Sequence, residues 1–233
     1  MEVVFHGHAC VSIKKDGYHL LIDPFITGNP QAKIQAEDLN PDFILLTHGH
    51  NDHLGDTVSI AKQNHAHVIG SHELAHWLTW QDIEATGMSI GGTCSFPFGQ
   101  VKMTPALHGN GYIDHERQEI IYMGMAAGLL LTMDQWTLFH AGDTALFSDL
   151  QLIGNRYAID LAFVPIGDHF TMGPEEAVIA AEWLNADRVI PIHYDTFPAI
   201  EQDAKQFINQ LQKKDIKGIA LQPEERLHFP LDK

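Results

Sequence analysis

Cysteine is scarce in this chain: Cys10 and Cys94 are the only two among 233 residues. A disulfide-stapled scaffold would need several cysteine pairs, so that class of protein is excluded. Two isolated thiols are typical of reduced residues in a packed core. We therefore expect both thiols to stay unpaired and the protein to be cytoplasmic, because that compartment keeps thiols reduced.

Positive charge is also scarce. The chain carries 14 Lys and Arg residues against 30 Asp and Glu residues, which gives a formal net charge of −16. A general nucleic-acid-binding protein needs a basic surface to displace the counterions of phosphate groups. We therefore expect no nucleic-acid partner.

Long apolar runs are absent as well. A membrane-spanning helix needs about 20 consecutive apolar residues, and the run MGMAAGLLLTM at residues 123–133 is too short. Residues 1–15 lack the basic start and apolar centre of a secretory signal. The sequence predicts no membrane span, no membrane partner and no signal peptide, and it leaves a homo-oligomer open.

Short strands and helices alternate along the chain. Apolar, β-branched runs bounded by turn residues predict strands at residues 3–6, 10–14, 18–23, 42–48, 67–70, 136–142, 159–167, 187–194 and 218–222. Longer segments predict helices at residues 54–64, 72–85, 174–184 and 199–214. With a β meander over residues 88–132, this order predicts an α/β fold of two packed sheets with helices outside. We expect a four-layer αββα sandwich that forms a single domain over residues 1–233.

Histidine is plentiful, with 16 residues, and several histidines follow apolar runs. In an extended chain, residues two apart point the same way, so His48 and His50 can bind one metal ion. The chain then turns towards the predicted helix, which lets Asp52 and His53 face a second position. Residues of the same ligand types end three later strands, namely His108, Asp143 and His193.

Two borderline metal ions held close together need nitrogen ligands and an anionic bridge. Asp143 suits the bridging role, because the neighbouring Gly142 lets the backbone approach closely. Strand ends can gather at one edge of a sheet, where loops carry functional side chains on a rigid scaffold. The sequence therefore predicts a metal site built from distant strand ends.

The order His-x-His-x-Asp-His followed by a distant His, Asp and His resembles the metallo-β-lactamase-fold hydrolases. The segments FHGHAC, LIDPF, PIGDHFTMGPEEA and PIHYDTFP further resemble a compact branch of metal-dependent hydrolases related to ascorbate-6-phosphate lactonase. The resemblance covers nearly the whole chain and implies the same αββα sandwich. Flavin-associated di-iron members of the superfamily have Glu at the position of His50, so His50 favours hydrolysis over redox chemistry.

The resemblance also implies the role of each ligand. One metal ion would take three histidines, the second would take one carboxylate and two histidines, and a second carboxylate would bridge them. The first ion would be bound by His48, His50 and His108, and the second by Asp52, His53 and His193. Asp143 would bridge the two ions. The expected metal is zinc, with manganese or nickel as alternatives.

The implied activity is hydrolysis of a small ester, lactone or phosphoester. A hydroxide held between two divalent ions would attack this small-molecule substrate. Asp52 would orient the hydroxide or move a proton. Two other functions stay open. One is a phosphodiesterase or nuclease on the same fold, and the other is a metal-binding protein without turnover.

Four further residues have two interpretations each. His8 and His169 resemble residues that approach the site as catalytic or substrate-contacting groups, or they are hydrogen-bonded loop histidines. Asp23 is expected to orient a ligand histidine, and otherwise it is a turn residue before Pro24. Tyr194 is either a core residue or a substrate contact.

The segment HELAH at residues 72–76 matches the H-E-x-x-H pattern of zinc proteases. On a helix His72 and His76 share one face, but the following residues, WLTWQDIEATG, supply no His at the spacing of the extended protease pattern. We therefore expect an amphipathic surface helix, with Leu74, Trp77 and Leu78 facing inwards.

Overall fold

The computed structural model describes residues 1–229, which form two compact units. Unit 1 comprises Met1–Ser89, Gly109–Ala126 and the segment that starts at Gln222, and unit 2 comprises Ile90–His108 and Ala127–Leu221. The single domain expected for residues 1–233 stays a prediction.

Strands dominate both units. In chain order they are β1 (Glu2–Gly7), β2 (Cys10–Lys15), β3 (Tyr18–Ile22), β4 (Phe43–Leu45), β5 (His67–Ser71), β6 (Ala85–Met88), β7 (Thr93–Phe96), β8 (Gly99–Pro105), β9 (Gly111–Asp114), β10 (Glu119–Tyr122), β11 (Ala127–Met133), β12 (Trp136–His140), β13 (Leu161–Pro165), β14 (Val189–Ile192) and β15 (Arg226–His228).

The helices are short. They are α1 (Asn51–Leu54), α2 (Thr57–Asn64), α3 (His72–Thr79), α4 (Asp149–Arg156), α5 (Pro174–Leu184) and α6 (Ala204–Gln212). None of the helices within residues 1–229 has the length and apolar character needed to cross a membrane.

Unit 1 contains a seven-stranded sheet in the order β15-β1-β2-β3-β4-β5-β6. The first four strands pair antiparallel, and β3 to β6 pair parallel. Helices α2 and α3 pack on one face through a core that includes Leu21, Ile44, Val68, Ile60 and Leu74. Because β3 and β4 are parallel, the residues that follow them lie at the same edge of the sheet.

Unit 2 contains a six-stranded sheet in the order β14-β13-β12-β11-β8-β7. Strands β12, β13 and β14 are parallel, whereas β11 runs antiparallel to both β12 and β8. The ends of β8, β12 and β14 therefore point to one edge of this sheet. A core from α4, α5 and α6, including Leu150, Ala177 and Phe207, packs against it.

Several sequence predictions agree with these elements. Helix α5 has the predicted bounds 174–184, and Asp16 and Gly17 both have positive φ, at 52° and 87°, in the turn between β2 and β3. That backbone suits a tight hairpin, as the Asp-Gly pair predicts.

Other predictions were wrong. The helix expected over 72–85 ends at Thr79, because the chain turns at Asp82 (φ 60°) and continues as β6. The strand expected at 218–222 is reduced to one isolated bridge between Val189 and Gly218. Helix α4 was not predicted, and it contains Gly154. A Cβ at Gly154 would be 2.1 Å from the Trp183 carbonyl oxygen, so glycine is required where α4 meets α5.

Both cysteines are free thiols. Burial raises the pKa of the Cys10 thiol well above its usual value, and the negative charge of Asp23 raises it further. A higher thiol pKa leaves less thiolate, the reactive form. In the folded protein at pH 8 we expect iodoacetamide to modify the half-buried Cys94 at least about tenfold faster than Cys10.

Peptide mass spectrometry of a time course measures the two rates. Urea-unfolded protein serves as the control, in which both cysteines should react at similar rates. Equal modification in the folded protein would contradict the burial of Cys10.

Candidate functional site

Asp23 connects two strand ends of unit 1. It is fully buried, it follows β3, and its φ of 45° is left-handed. Oδ1 accepts the Thr47 backbone N–H at 2.9 Å, and Oδ2 accepts the Thr47 hydroxyl at 2.6 Å. Oδ2 also lies 2.8 Å from Nδ1 of His53. One carboxylate thus fixes both ends of the motif that runs from Thr47 to His53.

These contacts determine where the histidine protons lie. A carboxylate only accepts hydrogen bonds, so His53 donates through Nδ1. The single hydroxyl proton of Thr47 goes to Asp23, so the Thr47 oxygen accepts from Nδ1 of His48, 2.9 Å away. Both neutral rings therefore carry their lone pair on Nε2, which is the form that binds a metal ion.

The remaining ligand-type side chains of unit 1 surround this pair. Nε2 of His48 lies 3.0 Å from Nδ1 of His50, and the rings of His48 and His53 have centroids 4.1 Å apart. Nε2 of His8 lies 3.1 Å from Oδ2 of Asp52. One donor atom from each of His8, Asp52 and His53 lies within 4.8 Å of the others.

His8 is held in a specific conformation. Its backbone N–H donates to Oε1 of Gln31 at 2.9 Å, its side chain is buried, and its φ is 56°. The edge of its ring faces Phe25, with centroids 5.5 Å apart. The structure thus places His8 against Asp52, while its catalytic role stays a prediction.

Two asparagines that no sequence motif indicates fix the backbone of the motif that runs from Thr47 to His53. Asn110 accepts the Gly49 N–H at 2.7 Å and donates to the Met123 carbonyl at 2.8 Å. Asn51 accepts the Ile113 N–H and donates to the Ile113 carbonyl, both at 3.0 Å. The β9–β10 hairpin is therefore tied to the motif. In the sequence both residues resemble ordinary turn asparagines, so only the tertiary contacts reveal them.

Unit 2 brings together the other three predicted ligands. Oδ2 of Asp143 lies 3.0 Å from Nε2 of His193 and 3.5 Å from Nε2 of His108. Asp143 and His193 are buried, and His108 is half-buried. The Leu107 N–H donates to Oγ1 of Thr144 at 3.0 Å, which holds the residue before His108 against the residue after Asp143.

His193 has a left-handed backbone, with φ of 56°, directly after β14. A Cβ on Gly167 would lie 2.3 Å from the His193 carbonyl oxygen, so glycine is needed at the end of the neighbouring strand β13. Left-handed non-glycine residues cost roughly 1–3 kcal/mol each and cluster at functional sites. Among the described residues thirteen non-glycine positions have positive φ, and His8, Asp23 and His193 are three of them.

Other candidate residues lie elsewhere. His169 is exposed in the turn after β13, and its ring contacts Phe170. Tyr194 is part of the core of unit 2, and burial raises its pKa to about 12. The core interpretation of Tyr194 fits this burial, and the role of His169 stays a prediction.

The HELAH segment forms the amphipathic helix α3. Leu74 and Leu78 are buried, whereas His72, Glu73 and His76 are exposed. Among residues 1–229, no third metal-binding side chain lies close enough to join the two histidines. This segment therefore lacks a protease-type metal site.

The donor atoms of both units suit a divalent transition metal. Imidazole nitrogens and carboxylate oxygens are the ligands that zinc, manganese and nickel accept in proteins. The Nε2 lone pairs of His48 and His53 lie among other metal-binding side chains. A bound cation would stabilise several lone pairs held this close together. The residues present thus fit the metal that the sequence resemblance implies.

Comparison with known proteins identifies the class. The model of the beta-lactamase superfamily domain matches residues 18–194. A UPF0173 metal-dependent hydrolase of Bacillus cereus (strain B4264) is 56% identical over 212 residues, covering 91% of this chain and 93% of the relative. The chain therefore belongs to the beta-lactamase superfamily, in the group of metal-dependent hydrolases that this relative represents.

Solved structures agree with this assignment. Igni18, described as a novel metallo hydrolase from the hyperthermophilic archaeon Ignicoccus hospitalis KIN4/I, has a TM-score of 0.90 and 32% identity, with 99% of each chain covered. An isothiocyanate hydrolase from Delia radicum gut bacteria shares the fold, with a TM-score of 0.78, 18% identity, and 98% and 99% of the two chains covered. The predicted α/β class and metallo-β-lactamase fold are confirmed.

Asp23→Asn tests the contacts that fix His48 and His53. The amide can still accept the Thr47 N–H, but its NH2 group cannot accept from both the Thr47 hydroxyl and His53. We expect metal affinity to fall about 10- to 100-fold, and the melting temperature to fall as well. Isothermal titration with Zn²⁺ and thermal unfolding measure the two effects.

The matched control is Asp187→Asn, an exposed carboxylate outside both clusters, which should change neither quantity. Unchanged zinc affinity in Asp23→Asn would show that Asp23 does not orient a ligand.

Proposed function

We propose that this protein is a dinuclear metal-dependent hydrolase that acts on a small ester, lactone or phosphoester. The observation that carries the proposal is the buried Asp23–Thr47 pair, which turns the Nε2 lone pairs of His48 and His53 towards a shared cluster. Metal-binding histidines usually donate their second ring N–H to a carboxylate or another acceptor, and both His48 and His53 make such a contact.

The proposed distribution of ligands follows their order in the sequence and the family to which the chain belongs. Each ion would have three ligands of its own, with one shared carboxylate. The first ion would be held by His48, His50 and His108, the second by Asp52, His53 and His193, and Asp143 would bridge them. Zinc suits this mixture of nitrogen and oxygen donors, and manganese or nickel would also be accepted.

Bound divalent ions would supply Lewis-acid activation of water and of the group under attack. The side chains around them would handle protons and orientation. Oδ2 of Asp52 can hold a proton released by the attacking water, and Nε2 of His8, 3.1 Å away, can share it. Oε1 of Gln31 accepts the His8 backbone N–H, which restrains the backbone of His8. The exposed His169 would contact the substrate.

Metal analysis tests the ligand assignment. Purified protein should contain about two transition-metal ions per chain, as a two-metal site requires. His48→Ala and Asp143→Ala should each remove metal, because each deletes one of the proposed ligand atoms. Elemental analysis by inductively coupled plasma mass spectrometry gives the metal content.

His72→Ala is the matched control, because this histidine lies on the exposed face of α3. Metal lost from His72→Ala and kept in the other two variants would overturn the assignment.

Activity on a substrate panel tests the proposed reaction. We expect hydrolysis of at least one member of a set of p-nitrophenyl esters, lactones, phosphomonoesters and phosphodiesters. A chelator should abolish this hydrolysis, and Zn²⁺, Mn²⁺ or Ni²⁺ should restore it. Activity on phosphodiesters alone would favour the nuclease alternative. Two bound ions without turnover on any substrate would favour a metal-binding protein.

A further inference from the structure

A second polar cluster lies in unit 1, on β1, β2 and the segment before β15. Nε2 of His6 lies 2.6 Å from the Ser12 hydroxyl oxygen, and Nδ1 of His6 lies 2.8 Å from Oε1 of Glu224. His6 and Ser12 are 3% and 2% exposed, and the side chain of Glu224 is 29% exposed. The proposed metal ligands do not take part in these contacts.

The protons of this cluster can be assigned. The Glu224 carboxylate only accepts, so His6 donates through Nδ1 and keeps its lone pair on Nε2. That lone pair faces the Ser12 hydroxyl, which donates to it. The order carboxylate, imidazole and hydroxyl is the arrangement in which histidine takes a proton from a nucleophilic serine.

His19 approaches the same hydroxyl from another side, with Nε2 3.2 Å from the Ser12 oxygen. Its Nδ1 must donate to the Asn40 carbonyl at 2.9 Å, so a neutral His19 also presents a lone pair. Burial is the main factor that lowers the pKa of His19, and the charge of Lys14 lowers it further. The single hydroxyl proton of Ser12 therefore has two acceptors, of which His6 is the closer.

The cluster lines a groove with a volume of about 680 Å³. His6, Ser12, His19 and Glu224 all face it, and Lys14 lies along it. None of the residues proposed as metal ligands lines this groove. A small molecule bound in this groove would lie against Ser12, which is 2% exposed, and against none of the residues proposed as metal ligands.

The backbone conformation around Glu224 holds its side chain against His6. Glu224 has φ of 71°, which is unfavourable for a residue with a side chain, and its N–H donates to the Phe5 carbonyl at 2.6 Å. The turn is closed by the Gln222 N–H, which donates to Oε2 of Glu225 at 2.8 Å. Strained conformations of this kind persist where the surroundings enforce them.

We propose that Ser12, His6 and Glu224 form a second catalytic site, in which Ser12 is a nucleophile towards small activated acyl or phosphoryl esters. Ser12 Oγ bonds to the acyl carbon, its proton passes to Nε2 of His6, and the bond from carbon to the leaving oxygen breaks. The leaving alcohol takes that proton from His6. Water then releases the acid by the same route in reverse. Lys14, Lys15 and Arg226 line the same groove, and Lys14, two residues after Ser12 on β2, is the positive charge assigned to the developing oxyanion.

The test uses a fluorophosphonate probe, which a nucleophilic serine attacks with loss of fluoride. Full-length protein should gain one adduct per chain, and peptide mapping should place it on Ser12. Ser12→Ala should remove the adduct. Glu224→Gln should slow its formation at least about tenfold, because the amide no longer fixes the proton on Nδ1 of His6.

Ser59→Ala is the matched control, since Ser59 is an exposed helical serine, and it should react as the parent protein does. Treatment with a chelator should leave the labelling intact, which separates this site from the proposed metal centre. Thermal unfolding of each variant confirms that it is folded.

Three results would overturn the proposal. The first is a folded parent protein without an adduct on Ser12. The second is undiminished total labelling in Ser12→Ala, and the third is a parent-like rate in folded Glu224→Gln. Any of these would make the cluster a structural hydrogen-bond network of the sheet.

Discussion

The buried carboxylate of Asp23 is the constraint on which the site in unit 1 depends. A charge in a fully buried position is tolerated only when hydrogen bonds compensate for lost hydration. Here the Thr47 N–H, the Thr47 hydroxyl and His53 provide that compensation. Asp23 follows β3 and Thr47 follows β4, so these bonds require the observed parallel register. Sheet pairing and histidine orientation are therefore set by the same interaction.

Backbone strain accompanies this arrangement. His8, Asp23 and His193 all have left-handed φ values, at positions directly after strands or in a tight turn. This conformation turns each side chain away from the direction that a continuing strand would give it. The surrounding sheets compensate for the cost, which is the usual arrangement at functional sites. The left-handed backbone thus turns these three side chains out of the strand direction.

The β1–β2 hairpin serves two clusters. His6 contacts Ser12 and Glu224, while His8, two residues later, contacts Asp52. The pairing of the two strands is irregular between Phe5 and Gly7, and this irregularity breaks the simple alternation of side chains. The two histidines of this short hairpin therefore contact different partners. His8 contacts Asp52 in the proposed metal site, and His6 contacts Ser12 and Glu224 beside the groove.

Local patterns in the sequence predict the proposed ligands, their order and the strands that precede them, because apolar runs and motif spacing are local. They also locate α5 and the Asp16-Gly17 turn. The contacts of Asn51 and Asn110, the helix around Gly154 and the Ser12 cluster become visible only in the folded protein. His6 and Glu224 are separated by 218 positions, so no local pattern can reveal their contact. Such contacts exist only once the sheet has formed, since pairing of distant strands brings the side chains together.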